Sequence, residues 1–476
     1  GLRITAEANK READCEQPLK RKKSMNYSHV IENIPDYQEF LTVAELDASS
    51  KELASCYPGQ VELFSIGTSR AGHPILCLKI GNGPKHALMF ACPHPNEPIG
   101  AMTVEYFSRV LAEHPEFTKE TGYTWYLIKC VDPDGTKRNE GWFKGPFTLR
   151  NYAEHYYRPA MNEQVEWTFP IDYKKLHFHA PIPETQALMK LIDEVRPEFM
   201  YSLHNAGFGG VFWYISKDRP DIYREFAGIP EKYGLPLSLG EPEMACCVPY
   251  APAVYQMLST EDMYDYYEKY VCGDPSALIT HGASSDGYAN RVCDTLTLVC
   301  ELPYFYNAQV DDETPSETIT RKEALLKNME TAQQCSAFLR EELSKISAYI
   351  PEDNPYRTMI CNITAMMGQE AKARMNQVAQ NPEFDCPAKQ CEVFDNFAGN
   401  TFNWMTFTGL LPHMIAEERE KKGTLPAALE EAYGAGMKKL DELEQEIAEQ
   451  VDYEVIPIRK LVAIQLECAF TALEHL

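Results

Sequence analysis

The sequence predicts an α/β fold, a central sheet with helices over both faces, followed by a helical C-terminal region. Three observations predict it. Between about residues 60 and 300, short apolar runs alternate with stretches of helical periodicity. Those runs are apolar at consecutive positions, as strands buried on both faces require. Beyond about residue 350 the composition turns helical and more acidic.

Val61–Ile66 and Ile75–Ile80 are strand-like runs split by the turn-forming Gly67–Gly72, and Ala87–Cys92 is a third. Ile99–Leu111 follows, with Ile99, Met102, Tyr106 and Val110 on one helical face. A strand over Trp125–Val131, a helix over Glu184–Val195, and strands over Phe199–His204 and Thr295–Glu301 complete the alternation. Thr320-Arg321-Lys322-Glu323 fits a capping box opening a long helix that reaches Ser347. Leu326, Met329, Leu339, Leu343 and Ile346 form its apolar stripe. Pro351–Pro355, with two prolines, is a boundary, and Leu425–Val451 then sets Met437, Leu440, Ile447 and Val451 on one face.

A chain of 476 residues holds one large or two ordinary domains, and a hydrophobic share of 44% excludes wholesale disorder. The expected division is a disordered or vector-derived tail over 1–25, an α/β body over 26–350 and a helical region over 351–476. The tail carries Lys20-Arg21-Lys22-Lys23, read as a solvated basic run. The helical region carries no readable site; it offers a packing element or a surface for homo-oligomerisation.

Lys plus Arg number 45 against 70 Asp plus Glu, a formal net charge of −25. Such a balance argues against nucleic acid and against anionic lipid as partners. No run approaches the roughly 20 apolar residues of a membrane span. The N-terminal residues also lack the apolar core of a secretory signal. The 15 cysteines are odd in number, scattered and without a CxxC pair. Cys77, Cys92, Cys130 and Cys300 lie inside apolar runs, where Cys behaves as a small hydrophobe. A reducing, cytoplasmic compartment is the expectation.

Ligand sites in sheets of this kind sit at the carboxyl ends of strands. His94 stands in Cys92-Pro93-His94-Pro95-Asn96-Glu97-Pro98, directly after a buried strand. The three prolines push residues 92, 94 and 97 away from helical geometry, so the segment is a rigid turn. Such a turn can bring an imidazole and a carboxylate to one point, a pairing that suits zinc. Phe199–His204 is a strand ending in histidine, where a third ligand belongs. Thr295–Cys300 ends in Glu301, a carboxylate too costly at the end of so apolar a run unless paired or functional.

These residues carry a family resemblance. His94-Pro95-Asn96-Glu97, Pro133-Asp134-Gly135, Ser202-Leu203-His204 and Leu298-Val299-Cys300-Glu301-Leu302-Pro303 occur in the order seen in the zinc carboxypeptidases, the carboxypeptidase A-like metallopeptidases. Ile66–Gly72, Phe169-Pro170 and Pro183–Leu188 are similar to further segments of that family, so the resemblance spans about residues 35–347. It implies a mixed, mostly parallel sheet and a catalytic domain over 26–350. It further implies one zinc ion per chain held by His94, Glu97 and His204, with Glu301 as general base. Arg158, or failing it Arg150, takes the place of the arginine that polarises the scissile carbonyl.

Two places depart from the family pattern. Sliding Phe169-Pro170 onto the family's Phe-Pro puts Glu166-Trp167 where an Asn-Arg pair grips the substrate carboxylate. Glu166 there repels a carboxylate and suits an ammonium group instead. The loop bearing the family's tyrosine has no clean counterpart in Leu278–Tyr288, leaving His281, Tyr288 and Tyr255 as candidates. His177-Phe178-His179 reads as loop histidines, Cys246-Cys247 as packing, and the tyrosines at 264, 266, 267 and 270 as surface packing.

The function expected is zinc-dependent hydrolysis of an amide bond in a peptide or small peptide-like substrate. The first alternative is an aspartoacylase-like N-acyl-amino-acid deacylase, which uses a similar His-x-x-Glu and later His. The second is a non-catalytic, zinc-stabilised binding protein. Three ligands plus Glu301 exceed what structural zinc requires, because structural sites are usually closed by four protein ligands.

Overall fold

A computed structural model describes residues 26–476. The expected tail over 1–25, with its Lys20–Lys23 run, therefore lies outside the described residues.

Nine strands form the main sheet. They are β1 (Val61–Thr68), β2 (Pro74–Ile80), β3 (Lys85–Ala91), β4 (Tyr123–Ile128), β5 (Phe199–Leu203), β6 (Phe212–Ile215), β7 (Pro249–Ala251), β8 (Val254–Gln256) and β9 (Leu296–Glu301). Their spatial order is β1-β2-β4-β3-β5-β9-β6-β8-β7. The central run β4-β3-β5-β9 is parallel. Antiparallel pairs flank it, β1 with β2, β2 with β4 and β6 with β9. Near the other edge β8 pairs parallel with β6 and antiparallel with β7, so the sheet is mixed, with its longest parallel run in the middle.

The consecutive apolar runs are explained by what covers them. Ala87, Met89 and Ala91 of β3 enter one core, whereas Leu88 and Phe90 enter the other. A strand alternates its side chains between faces, so burial of both demands an unbroken apolar run. Helices α1 (Val43–Cys56) and α2 (Ile99–Glu113) pack on the first face. Helix α3 (Pro133–Phe143) follows β4, and α4 (Pro183–Val195) and α5 (Ser285–Val292) belong to the second face.

The C-terminal third is helical: α6 (Arg321–Ile346), α7 (Pro355–Gln380), α8 (Asn400–Lys422), α9 (Ala427–Gln450) and α10 (Ile458–Glu474). Thr320 caps α6 reciprocally with Glu323, as its capping-box sequence requires. Pro351–Pro355 falls between α6 and α7. Helix α10 packs against α2 as well as β5 and β9, and its apolar residues share one core with theirs. This contact alters the reading of α2. The sequence shows one apolar face, yet nearly every residue of α2 except Arg109 and Glu113 is buried. With the sheet on one side and α10 on another, α2 has no solvent face left over most of its length. Among the described residues, no helix is long and apolar enough to cross a membrane.

Candidate metal centre

The centre is built at the carboxyl ends of β3, β5 and β9, where a parallel sheet leaves its strand ends open. After β3, Cys92 adopts a left-handed backbone, φ +55°, unusual for a residue with a side chain. The chain then turns, and Glu97 N–H donates to His94 O at 3.1 Å. The prolines of the segment and this bond fix His94 and Glu97 on one side of the turn. From β5, Ser202 and His204 project on the same face by the two-residue strand period, as Glu301 does at the end of β9. Helix α2 is held close to β5 because Gly100 has no side chain; a Cβ there would lie 2.4 Å from Leu203 Cβ.

Nδ1 of His94 lies 3.1 Å from Glu97 Oε1, and Nδ1 of His204 lies 3.1 Å from Glu97 Oε2. The two Nδ1 atoms are 3.2 Å apart. All three side chains are buried, with ligand atoms within 4.8 Å of one another. Two imidazoles and a carboxylate this close need a proton or a metal ion shared between them. Left to themselves, the groups retain a proton. Burial opposes charge on His204, but the hydrogen bond to Glu97 and the charges of Glu97, Glu301 and Glu166 lift it to about 9. Burial and the Arg158 guanidinium depress His94 to about 3. Burial works against ionised Glu97, yet the two imidazoles hold it far below the usual carboxylate range. A divalent ion with nitrogen and oxygen preference fits this donor set and, when bound by His94, Glu97 and His204, would take the place of the proton.

Neighbouring groups fix the ligands. Ser202 Oγ donates to Glu166 Oε2 at 3.3 Å and lies 2.9 Å from His204 Nε2. The hydroxyl therefore accepts from Nε2–H, which leaves the Nδ1 lone pair for an ion. Glu166 Oε1 in turn accepts from the N–H and hydroxyl of Ser285, at 2.9 and 2.8 Å. Asn205 N–H donates to Glu97 Oε2 at 3.2 Å, while its side chain accepts from Ile99 N–H at the start of α2 and donates to Leu302 O. The sequence marks neither Asn205 nor Ser285 for these tasks; the adjacency of Asn205 to His204 is the one available signal.

The remaining sequence candidates divide. Glu301 Oε1 lies 3.9 Å from His204 Nδ1, beside the three-residue cluster rather than in it. Burial raises its carboxyl well above the usual range, and Glu97 adds to the rise while His204 opposes it. Arg158 Nη1 lies 3.6 Å from Glu97 Oε1. Arg150 is elsewhere, paired with Glu154, Asp441 and Glu444, so of the two arginines only Arg158 lies beside the cluster. Tyr288 donates to Asp193 and packs on Phe169, away from the cluster. His281 packs edge-on against Trp167 with ring centroids 5.6 Å apart, and burial lowers it to about 4. Tyr255 packs edge-on against Phe212 and tilted against Tyr214. Glu166 is not free to meet an ammonium group: Ser285 and Ser202 already engage both its oxygens, and it faces His204.

A zinc carboxypeptidase family model matches residues 46–238, a span that holds His94, Glu97, Arg158 and His204 and stops short of Glu301. A search of curated proteins gave no match. Among solved structures, carboxypeptidase A from Helicoverpa armigera is 16% identical with a TM-score of 0.38, over 56% of this chain and 66% of that one. A metallo-carboxypeptidase from Burkholderia cenocepacia is 15% identical with a TM-score of 0.31, over 71% of this chain and 69% of that one. Bovine thrombin-activatable fibrinolysis inhibitor is 12% identical with a TM-score of 0.33, over 72% of this chain and 99% of that one. The segment that carries the His-Glu-His cluster, residues 46–238, thus matches the zinc carboxypeptidase family, a match that supports a zinc metallohydrolase.

Proposed function

We propose that the protein hydrolyses an amide bond in a peptide or peptide-like substrate, with one zinc ion per chain held by His94, Glu97 and His204. The observation that carries the reading is the place of Glu301, a buried carboxylate 3.9 Å from a ligand nitrogen. Structural zinc takes four protein ligands, whereas three ligands beside a free carboxylate suit catalysis. Zinc supplies a bound water of pKa near roughly 7 and polarises the carbonyl.

The chain's own groups do the rest. Glu301 accepts the water's proton as the new C–O bond forms and delivers it to the departing nitrogen. Its raised basicity, set by burial, suits that exchange. Arg158 donates to the carbonyl oxygen as negative charge accumulates there. The Ser285–Glu166–Ser202 chain holds His204 in one tautomer. With Glu166 turned to that task and Trp167 beside it, no guanidinium stands where the family resemblance places its carboxylate grip. Recognition of a free C-terminal carboxylate at that position is therefore not part of the reading.

Replacing Glu301 with Gln tests it. The variant is expected to bind zinc like the parent and to lose turnover by about a thousandfold or more. Near-normal rates on short peptides would remove Glu301 from the mechanism. A panel of N-acyl amino acids run beside the peptides separates deacylation from peptide cleavage, and inertness of the zinc-loaded parent towards both favours a binding protein.

A further inference from the structure

Gln465 lies on α10, 261 residues from His204 along the chain, and its side chain is fully buried. Its Nε2 donates to His204 O at 3.2 Å. Its Oε1 accepts from Thr103 Oγ1 at 2.6 Å. Thr103 sits on α2, the helix that begins two residues after Glu97. The backbone carbonyl of Gln465 also accepts from Tyr201 Oη at 3.2 Å, on the strand that ends before His204. One amide thus spans the backbone of the third ligand and the helix that follows the second. The neighbouring loop is pinned from the same third of the chain: a Cβ at Gly207 would lie 2.7 Å from Phe402 Cε1 of α8.

We propose that Gln465 is a positioning residue for the metal centre, through which the C-terminal helical region fixes the separation of His204 from the His94–Glu97 turn. The inference rests on His204 being a ligand. A buried amide engaged at both ends has one low-energy placement, because moving either neighbour strands a polar group away from water. Ligand atoms must sit within about 0.2 Å of their bonding distances, so a loosened His204 carbonyl is felt as lost affinity. Thr103→Val removes the hydroxyl that orients the amide at nearly constant volume, and Gln465→Met removes the amide itself.

The test uses the full-length protein, with zinc affinity measured by chelator competition and the absorption spectrum of the cobalt-loaded form recorded beside it. Both variants are expected to bind zinc about tenfold more weakly, the usual scale for groups that support ligands, with a shifted cobalt spectrum. Ile464→Ala, on the same helix and in the apolar core, is the control: it should lower the unfolding temperature and leave affinity and spectrum unchanged. Unchanged zinc affinity in Thr103→Val overturns the proposal, also where Gln465→Met fails to fold. The parent binding one zinc, and His204→Ala losing it, is checked first; failure there overturns the ligand assignment rather than the role of Gln465 alone.

Discussion

Arg158 is held at both ends of its guanidinium, with Nε donating to Gln164 Oε1 at 3.4 Å and Nη1 lying 3.6 Å from Glu97 Oε1. Its side chain keeps 23% of its surface, so it can still meet a substrate oxygen. Arg158→Ala is expected to cut kcat/KM about a hundredfold or more at unchanged zinc content, the scale of losing one oxyanion donor. Arg158→Lys should restore little, since an ammonium cannot reproduce the fork. Steady-state rates on one peptide substrate check both, and a near-parental Arg158→Ala would exclude the role. At this scale the sequence showed the residues of the His-Glu-His cluster, because His94 and Glu97 stand in the turn after one apolar strand and His204 at the end of another. It did not show the job of Glu166, whose partners Ser202 and Ser285 lie 36 and 119 residues away.

Helix α3 carries a cost at its first turn. Asp132 caps it, with Oδ1 accepting from Gly135 N–H at 2.9 Å, while Oδ2 is buried without a hydrogen-bond partner among the described residues. Burial raises this carboxyl to about 7. A folded-state value above the unfolded one means the native chain holds the proton more tightly. The resulting stability is present below the unfolded value near 4 and is lost as pH rises through about 7. Thermal unfolding between pH 6 and 8 should therefore show a falling midpoint that Asp132→Asn flattens, since Asn caps without charge. A parallel decline in both proteins would contradict the assignment. Element boundaries were legible where local chemistry sets them, as at Thr320 and Glu323. The burial of α2 was not, because it depends on α10, more than 340 residues on.

Across the whole molecule, one core runs from β3, β5 and β9 through Tyr152 and Phe305 to Phe402, Leu411, Leu461 and Phe470. The apolar surfaces of the α/β body and of the C-terminal helices are thus halves of one interior. A chain ending at residue 350 would expose that interior and lose the Gln465 bridge. It is expected to show no cooperative thermal transition by calorimetry and no zinc-dependent stabilisation. A cooperative transition with parental zinc affinity would establish the body as self-sufficient.

The sequence by itself determined the layered α/β class, the strand ends that bear His94, His204 and Glu301, and the turn that pairs His94 with Glu97. Each is a local matter of period, proline placement and apolar run length, and therefore readable along the chain. Only the tertiary structure decided that Arg158 and not Arg150 faces the cluster, that Glu166 serves His204, and that the last helices close on the metal centre. Those outcomes depend on which surfaces meet, and burial in a common core joins residues that no sequence spacing relates.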